Sequence, residues 1–164
     1  MTVELQKILA FLKEIGIRVI EKELDGTTFL PGLAIGPNYL IIDYQKLKYP
    51  GDILHEAGHL AVTPAAERKH IGTETMPEEW PTQGDEIGAM LWSYAASCHL
   101  ELAFDVVFHP NGYKGNSDWL IDSYKNKNYI GLPFLEWAGL TLGQDSALKE
   151  DKEPFPAMQQ WLRN

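Results

Sequence analysis

With 164 residues, 45% of them apolar and 23% charged, the chain has the make-up of an ordinary globular protein, enough for a single domain over 1–164 around a real core. A formal charge of −9, from 14 basic and 23 acidic side chains, argues against a phosphate backbone as partner, so no nucleic acid is expected. No stretch approaches a membrane span, Met1 to Lys13 lacks the basic region and continuous apolar run of a signal peptide, and the lone Cys98 excludes an internal disulfide. These features point to a reducing, cytoplasmic setting without a membrane partner.

In chain order, Leu5, Ile8, Leu9, Leu12 and Ile15 form one stripe and predict a helix over 3–15, ended by Gly16. Residues 17–24 alternate apolar and charged and read as a strand. Asp25-Gly26 is a tight-turn signal, and 27–30 reads as a second short strand. Leu33 to Ile35 and Tyr39 to Asp43 flank Gly36-Pro37-Asn38 and predict a hairpin. A helix follows at 51–63, started by Tyr49-Pro50-Gly51-Asp52, with Asp52 able to cap, and stopped by Thr63-Pro64.

The segment 64–83 is polar and broken by prolines. It reads as a long surface loop, with a short helix at 65–69, of the kind that often borders a site. The strongest helical pattern covers 84–104, with Ile87, Met90, Leu91, Tyr94, Cys98 and Leu102 as its core stripe. His109 to Gly112 is a turn, and 118–125 should be helical with Trp119, Leu120 and Tyr124 facing inward. Residues 132–142 predict another helix, 146–153 an exposed charged connector, and 155–162 a terminal helix docking through Phe155, Met158 and Trp161. The expected architecture is α+β: an N-terminal helix, a small antiparallel sheet, two central helices and further C-terminal helices.

One five-residue run carries chemistry: His55-Glu56-Ala57-Gly58-His59, an H-E-x-x-H pattern on the helix predicted at 51–63. Positions i and i+4 share a helix face, so both imidazoles can reach one zinc ion, while Glu56 sits where it can act as general base to a bound water. The bland alternative is a pair of half-buried histidines satisfied by other polar partners.

A catalytic zinc usually takes three protein ligands and leaves one position for water. The choices for the third are Glu74, Glu78, Glu79, Asp85, Glu86, His70, His99 and His109. Glu86 is preferred. It starts the second long helix, and its face continues through Ala89, Ser93 and Ala96, small residues that would let this helix approach the first closely. Asp85 is the nearest competitor, but Thr82-x-x-Asp85 resembles a capping box that would turn its carboxylate back to the helix end. An acid in the first turn also has a plainer role, complementing the helix dipole.

His55-Glu56-Ala57-Gly58-His59 followed by Glu86 on a downstream helix resembles the gluzincin metallopeptidases, and the small size and leading helix are similar to the minimal gluzincins of the ImmA/IrrE type. The resemblance covers roughly 1–105 and implies zinc held by His55, His59 and Glu86 with Glu56 as base. It also implies an edge strand from Leu33 to Asp43 above the metal helix, along which an extended peptide could lie. No third histidine follows His59 at the short metzincin spacing.

The expected function is thus a zinc-dependent peptidase acting on a peptide or protein. Two others compete: a zinc amidase or deacylase on a small molecule, and a non-catalytic binding module of the same shape. His109, Tyr113, His99 and Tyr94 are candidate donors to the reaction's oxyanion, and Trp80 a candidate pocket wall. No Lys or Arg occurs between Lys69 and Lys114, while that span holds seven acids, so a cation or a basic substrate segment would be attracted there. A domain this small has little wall for a cleft, which suggests a homo-oligomer or a partner protein.

Overall fold

The computed structural model describes residues 1–164. Helix α1 (Val3–Ile15) starts where the Thr2 side chain accepts a hydrogen bond from the Leu5 N–H, and it ends at Gly16, which takes the left-handed φ of 87°. Leu5, Ile8 and Leu12 are buried as the period requires, and Phe11 joins them, whereas Leu9 and Ile15 are only half-buried.

Three strands follow, β1 (Arg18–Glu21), β2 (Leu33–Gly36) and β3 (Tyr39–Ile42), in the spatial order β1-β3-β2. The hairpin at Pro37-Asn38 pairs β2 and β3 antiparallel, with Gly36 opposite Tyr39 and Asn38 at a φ of 57°. The expectation of an all-antiparallel sheet is corrected: β1 runs parallel to β3, Arg18 opposite Tyr39. The cause is the connection after β1. It is not a hairpin but a long excursion that delivers the chain to the far side of the sheet. Its start is tied down by the Asp43 carboxylate, which accepts from the Leu24 N–H. The predicted strand at 27–30 is absent apart from one bridge between Leu30 and Leu33, because Asp25 folds the chain locally by accepting from both the Thr27 N–H and hydroxyl.

Helix α2 (Gly51–Val62) carries the histidine motif, and α4 (Gln83–His99) crosses it. The crossing is very close: a Cβ on Gly58 would stand 2.7 Å from the Ala89 carbonyl oxygen. The small face of α4 makes this possible, since Ala89, Ser93 and Ala96 are fully buried. The other end of α2 is set by α5 (Phe104–Val107), where a Cβ on Gly51 would overlap the Val106 carbonyl. Thr82 and Asp85 form the expected capping box at the start of α4. Asp52 does not cap α2. It is buried and bonded to His109 instead, and Pro50 occupies the N-cap without a side-chain bond.

The carbonyls at the end of α2 are all taken up. Thr63 Oγ1 donates to His59 O at 2.7 Å, Arg68 Nε to Leu60 O at 2.8 Å, and the Arg163 N–H to Ala61 O at 2.9 Å. Arg163 also reaches Val62 O through its guanidinium, and Arg68 reaches Thr63 O and Arg163 O. A short α3 (Ala65–Arg68) delivers Arg68 to this task.

The C-terminal third departs most from expectation. Helix α6 (Ser117–Lys125) buries Leu120 and Tyr124 but leaves Trp119 57% exposed. Helix α7 stops early (Leu132–Trp137), ahead of Gly139 at a φ of 77°. The expected connector contains α8 (Gln144–Glu150), which buries only Ala147 and so has no apolar stripe to announce it. The expected terminal helix at 155–162 is absent. The tail pairs with the chain after α7 instead: the Phe155 and Gln159 N–H groups bond to Leu142 O and Leu140 O, and Thr141 bridges to Met158. Its docking role survives: Phe155 is buried, and Met158 and Trp161 pack on the core. No helix is long and apolar enough to cross a membrane.

Candidate metal centre

On α2 the four-residue spacing puts His55 and His59 one turn apart with their rings edge to face, centroids 4.8 Å apart. Their Nε2 atoms stand 3.2 Å from each other. The close crossing at Gly58 and Ala89 brings the first turn of α4 over this pair, so that Glu86 Oε1 lies 3.1 Å from His55 Nε2 and Oε2 lies 2.9 Å from His59 Nε2. A carboxylate oxygen of Glu56 is also near, since it and one ring nitrogen from each histidine lie within 4.8 Å of one another. Two carboxylates therefore face the imidazole pair, one from each helix.

The two acids are driven in opposite directions. Hydrogen bonds from His55 and then His59 hold the Glu86 carboxyl well below the usual carboxylate range, against its partial burial. Burial pushes the Glu56 carboxyl up; the imidazoles oppose this, while the charges of Glu86 and Asp52 add to it. Burial alone would depress His55, but the hydrogen bond and charge of Glu86, with the charges of Glu56 and Asp52, outweigh it and raise the imidazole above its ordinary 6.5. Neighbouring acids split in this way suit different tasks, one as a permanent anion and one as a proton carrier.

His55, Glu56 and His59 could hold a metal ion. The donor chemistry fits: ligand atoms about 2.0–2.1 Å from a tetrahedral zinc stand roughly 3.3–3.4 Å apart, while the two Nε2 atoms are 3.2 Å apart and each has one Glu86 oxygen at 3.1 or 2.9 Å. The outer contacts of the two rings differ. His55 Nδ1 lies 3.3 Å from the Tyr113 hydroxyl, whereas His59 Nδ1 is buried without a hydrogen-bond partner. Trp80 closes the His59 side edge to face at 5.8 Å, and its indole N–H donates to Thr63 Oγ1. The Glu86 side chain is 42% exposed, so the centre opens to solvent along α4.

The other sequence candidates are elsewhere. Asp85 accepts from the Thr82 N–H and hydroxyl. His70 Nδ1 pairs with Thr75 Oγ1, and Glu74, Glu78 and Glu79 are exposed on the loop that carries Trp80. His99 packs against Phe11 and Trp161, and Tyr94 belongs to a cluster with Phe104, Tyr124 and Phe155. His109 Nε2 lies 2.9 Å from Asp52 Oδ1, with Tyr49 stacked on its ring at 3.9 Å. Of the four proposed oxyanion donors, only Tyr113 touches the histidine pair. It is held on a turn where Tyr113 and Lys114 both take a φ of 54°, and burial raises its hydroxyl well above the ordinary 10, keeping it protonated.

The role of Asp52 as the anchor of His109 was not legible in the sequence, where the two are 57 residues apart. In comparisons with known proteins, the chain matches no family profile, no curated protein and no solved structure.

Proposed function

We propose that this protein is a zinc-dependent peptidase in which His55, His59 and Glu86 are the metal ligands and Glu56 is the general base. One observation carries the reading: two imidazole nitrogens on α2 and a carboxylate on α4 converge to within 3.2 Å of one another, with a second carboxylate at their side. A structural site would not need that second carboxylate.

A zinc ion bound there would lower the pKa of a water toward neutrality and polarise a substrate carbonyl. Glu86, held ionised, supplies the negative ligand. Glu56, with its pKa raised by burial, takes a proton from the attacking water and holds it until the leaving amine accepts it. Trp80 walls the His59 side, and the acids of its loop, Glu74, Glu78 and Glu79, favour a basic substrate segment.

One observation favours the second reading, an amidase or deacylase acting on a small molecule. The Ile35 carbonyl on β2, an edge strand of the sheet, is approached by the loop after α3, where a Cβ on Gly72 would lie 2.9 Å from the Ile35 oxygen. That contact shortens the edge along which an extended peptide could pair.

The test combines metal content by plasma mass spectrometry with cleavage of a peptide library. Near-stoichiometric zinc is expected in the natural protein and sharply less in Glu86→Ala. Glu56→Gln should keep its zinc and lose cleavage by about a hundredfold to ten-thousandfold. No zinc in the natural protein after supplementation would sink the proposal, and cleavage unchanged by Glu56→Gln would remove the assigned base. Hydrolysis of small amides with none of any peptide would favour the second reading.

A further inference from the structure

The contact between Tyr113 and His55 is built with more care than a chance neighbour requires. The turn bearing Tyr113 is closed on itself, with Ser117 Oγ donating to His109 O at 2.7 Å and the Gly112 N–H to the same oxygen at 3.0 Å. It is fastened to α2 by the bond between His109 and Asp52, one turn before His55, and His109 is held from the side by the Tyr49 ring. The Tyr113 ring packs on Phe108 and meets His55 edge to face, at 5.2 Å and 5.6 Å. The whole assembly serves to present one hydroxyl to His55 Nδ1.

A hydroxyl differs from the carboxylate or carbonyl that often backs a metal-binding histidine, because it can both donate and accept. When the ring proton sits on Nε2 and faces Glu86, Nδ1 has a lone pair and the Tyr113 O–H donates to it. When Nε2 is given to a metal, the proton sits on Nδ1 and the Tyr113 oxygen accepts it. One contact serves both tautomers.

We propose that Tyr113 is a positioning residue for the metal centre, its hydroxyl partnering His55 Nδ1 whether that nitrogen carries a proton or a lone pair, and so holding the ring in one orientation with and without metal. This rests on the zinc reading above. His59, whose Nδ1 has no partner, lacks such a device, so the centre is anchored on the His55 side.

The test uses the full chain, zinc alone as ligand, and two readouts other than activity. Tyr113→Phe keeps the ring against Phe108 and removes only the hydroxyl. Zinc affinity, measured by competition with a chelator, should fall about tenfold in this variant, within the range seen when an outer-shell partner is lost, while the metal-free protein stays folded with only a small fall in melting temperature. In the natural zinc-loaded protein, histidine nitrogen NMR should show His55 protonated at Nδ1, with a proton that resists exchange with solvent; in the variant that proton should exchange rapidly.

A zinc affinity within about twofold of the natural protein's, or a freely exchanging Nδ1 proton in the natural protein, would overturn the proposal and leave the zinc reading intact. Failure of the natural protein to bind zinc would overturn both. The NMR arm needs no variant, so it decides the matter even if Tyr113→Phe folds poorly.

Discussion

The chemistry at single residues turns on Glu86, which lies against both imidazoles. Without metal it pairs with His55 as an ion pair while that ring is protonated, and the stabilising window of that pair has two edges. The Glu86 carboxyl titrates below its ordinary 4.5, so its contribution is full above 4.5 and is lost as pH falls through the depressed folded value. The His55 ring titrates above 6.5, so its contribution is full below 6.5 and is lost as pH rises through the raised folded value. Both act between those two ordinary values. Glu86→Gln should therefore lower the metal-free melting temperature more at about pH 5.5 than at about pH 8.5. The effect will be small, because a side chain 42% exposed is screened by solvent. Equal losses at both pH values would mean that Glu86 is not ion-paired with His55 in solution.

At the level of elements, the centre exists because two helices nearly touch. Gly58 is one of the unspecified positions of the H-E-x-x-H pattern, yet in this chain it is the contact that lets α4 bring Glu86 to the imidazoles. Gly58→Ala would place a methyl 2.7 Å from the Ala89 carbonyl oxygen, a backbone atom that can yield only if the helices separate. The expected cost is about 1–3 kcal/mol of stability, with a larger proportional loss of zinc affinity as Glu86 is carried away. Chemical denaturation and zinc competition on the same variant would check this; lost stability with unchanged zinc affinity would show that the crossing does not set the site. Much of this geometry was legible beforehand. The i, i+4 histidines, the capping box that occupies Asp85, and the small face Ala89-Ser93-Ala96 all act locally, so each has a sequence signature. What stayed hidden is non-local. The parallel pairing of β1 with β3 depends on where a long loop leads. The loss of the terminal helix depends on carbonyls offered by Leu140 and Leu142, and the bond between Asp52 and His109 depends on how α5 packs against α2.

Across the whole molecule, α2 is held as a rigid platform by parts of the chain distant in sequence. Its last carbonyls are satisfied by a side chain from α3 and by the tail, with the Arg163 guanidinium also lying over Trp137 at 4.6 Å from the ring centre. Arg68 is the hub, because it bonds to Leu60, Thr63 and the tail carbonyl of Arg163 at once while buried. Removing it leaves three carbonyls short of a donor in a place water reaches poorly, and a buried acceptor stripped of a charged donor is costly. Arg68→Leu, which keeps apolar bulk beside α2, should cost about 2–4 kcal/mol in urea unfolding. Saturating zinc should recover part of the loss, since a ligand bound only by the folded state adds about 4 kcal/mol at a thousand times its Kd. The recovery should depend on His55 and His59, which sit in the middle and last turn of the helix that Arg68 secures. A cost below about 1 kcal/mol would mean that solvent replaces the guanidinium and that the tail, not Arg68, holds the end of α2 in place.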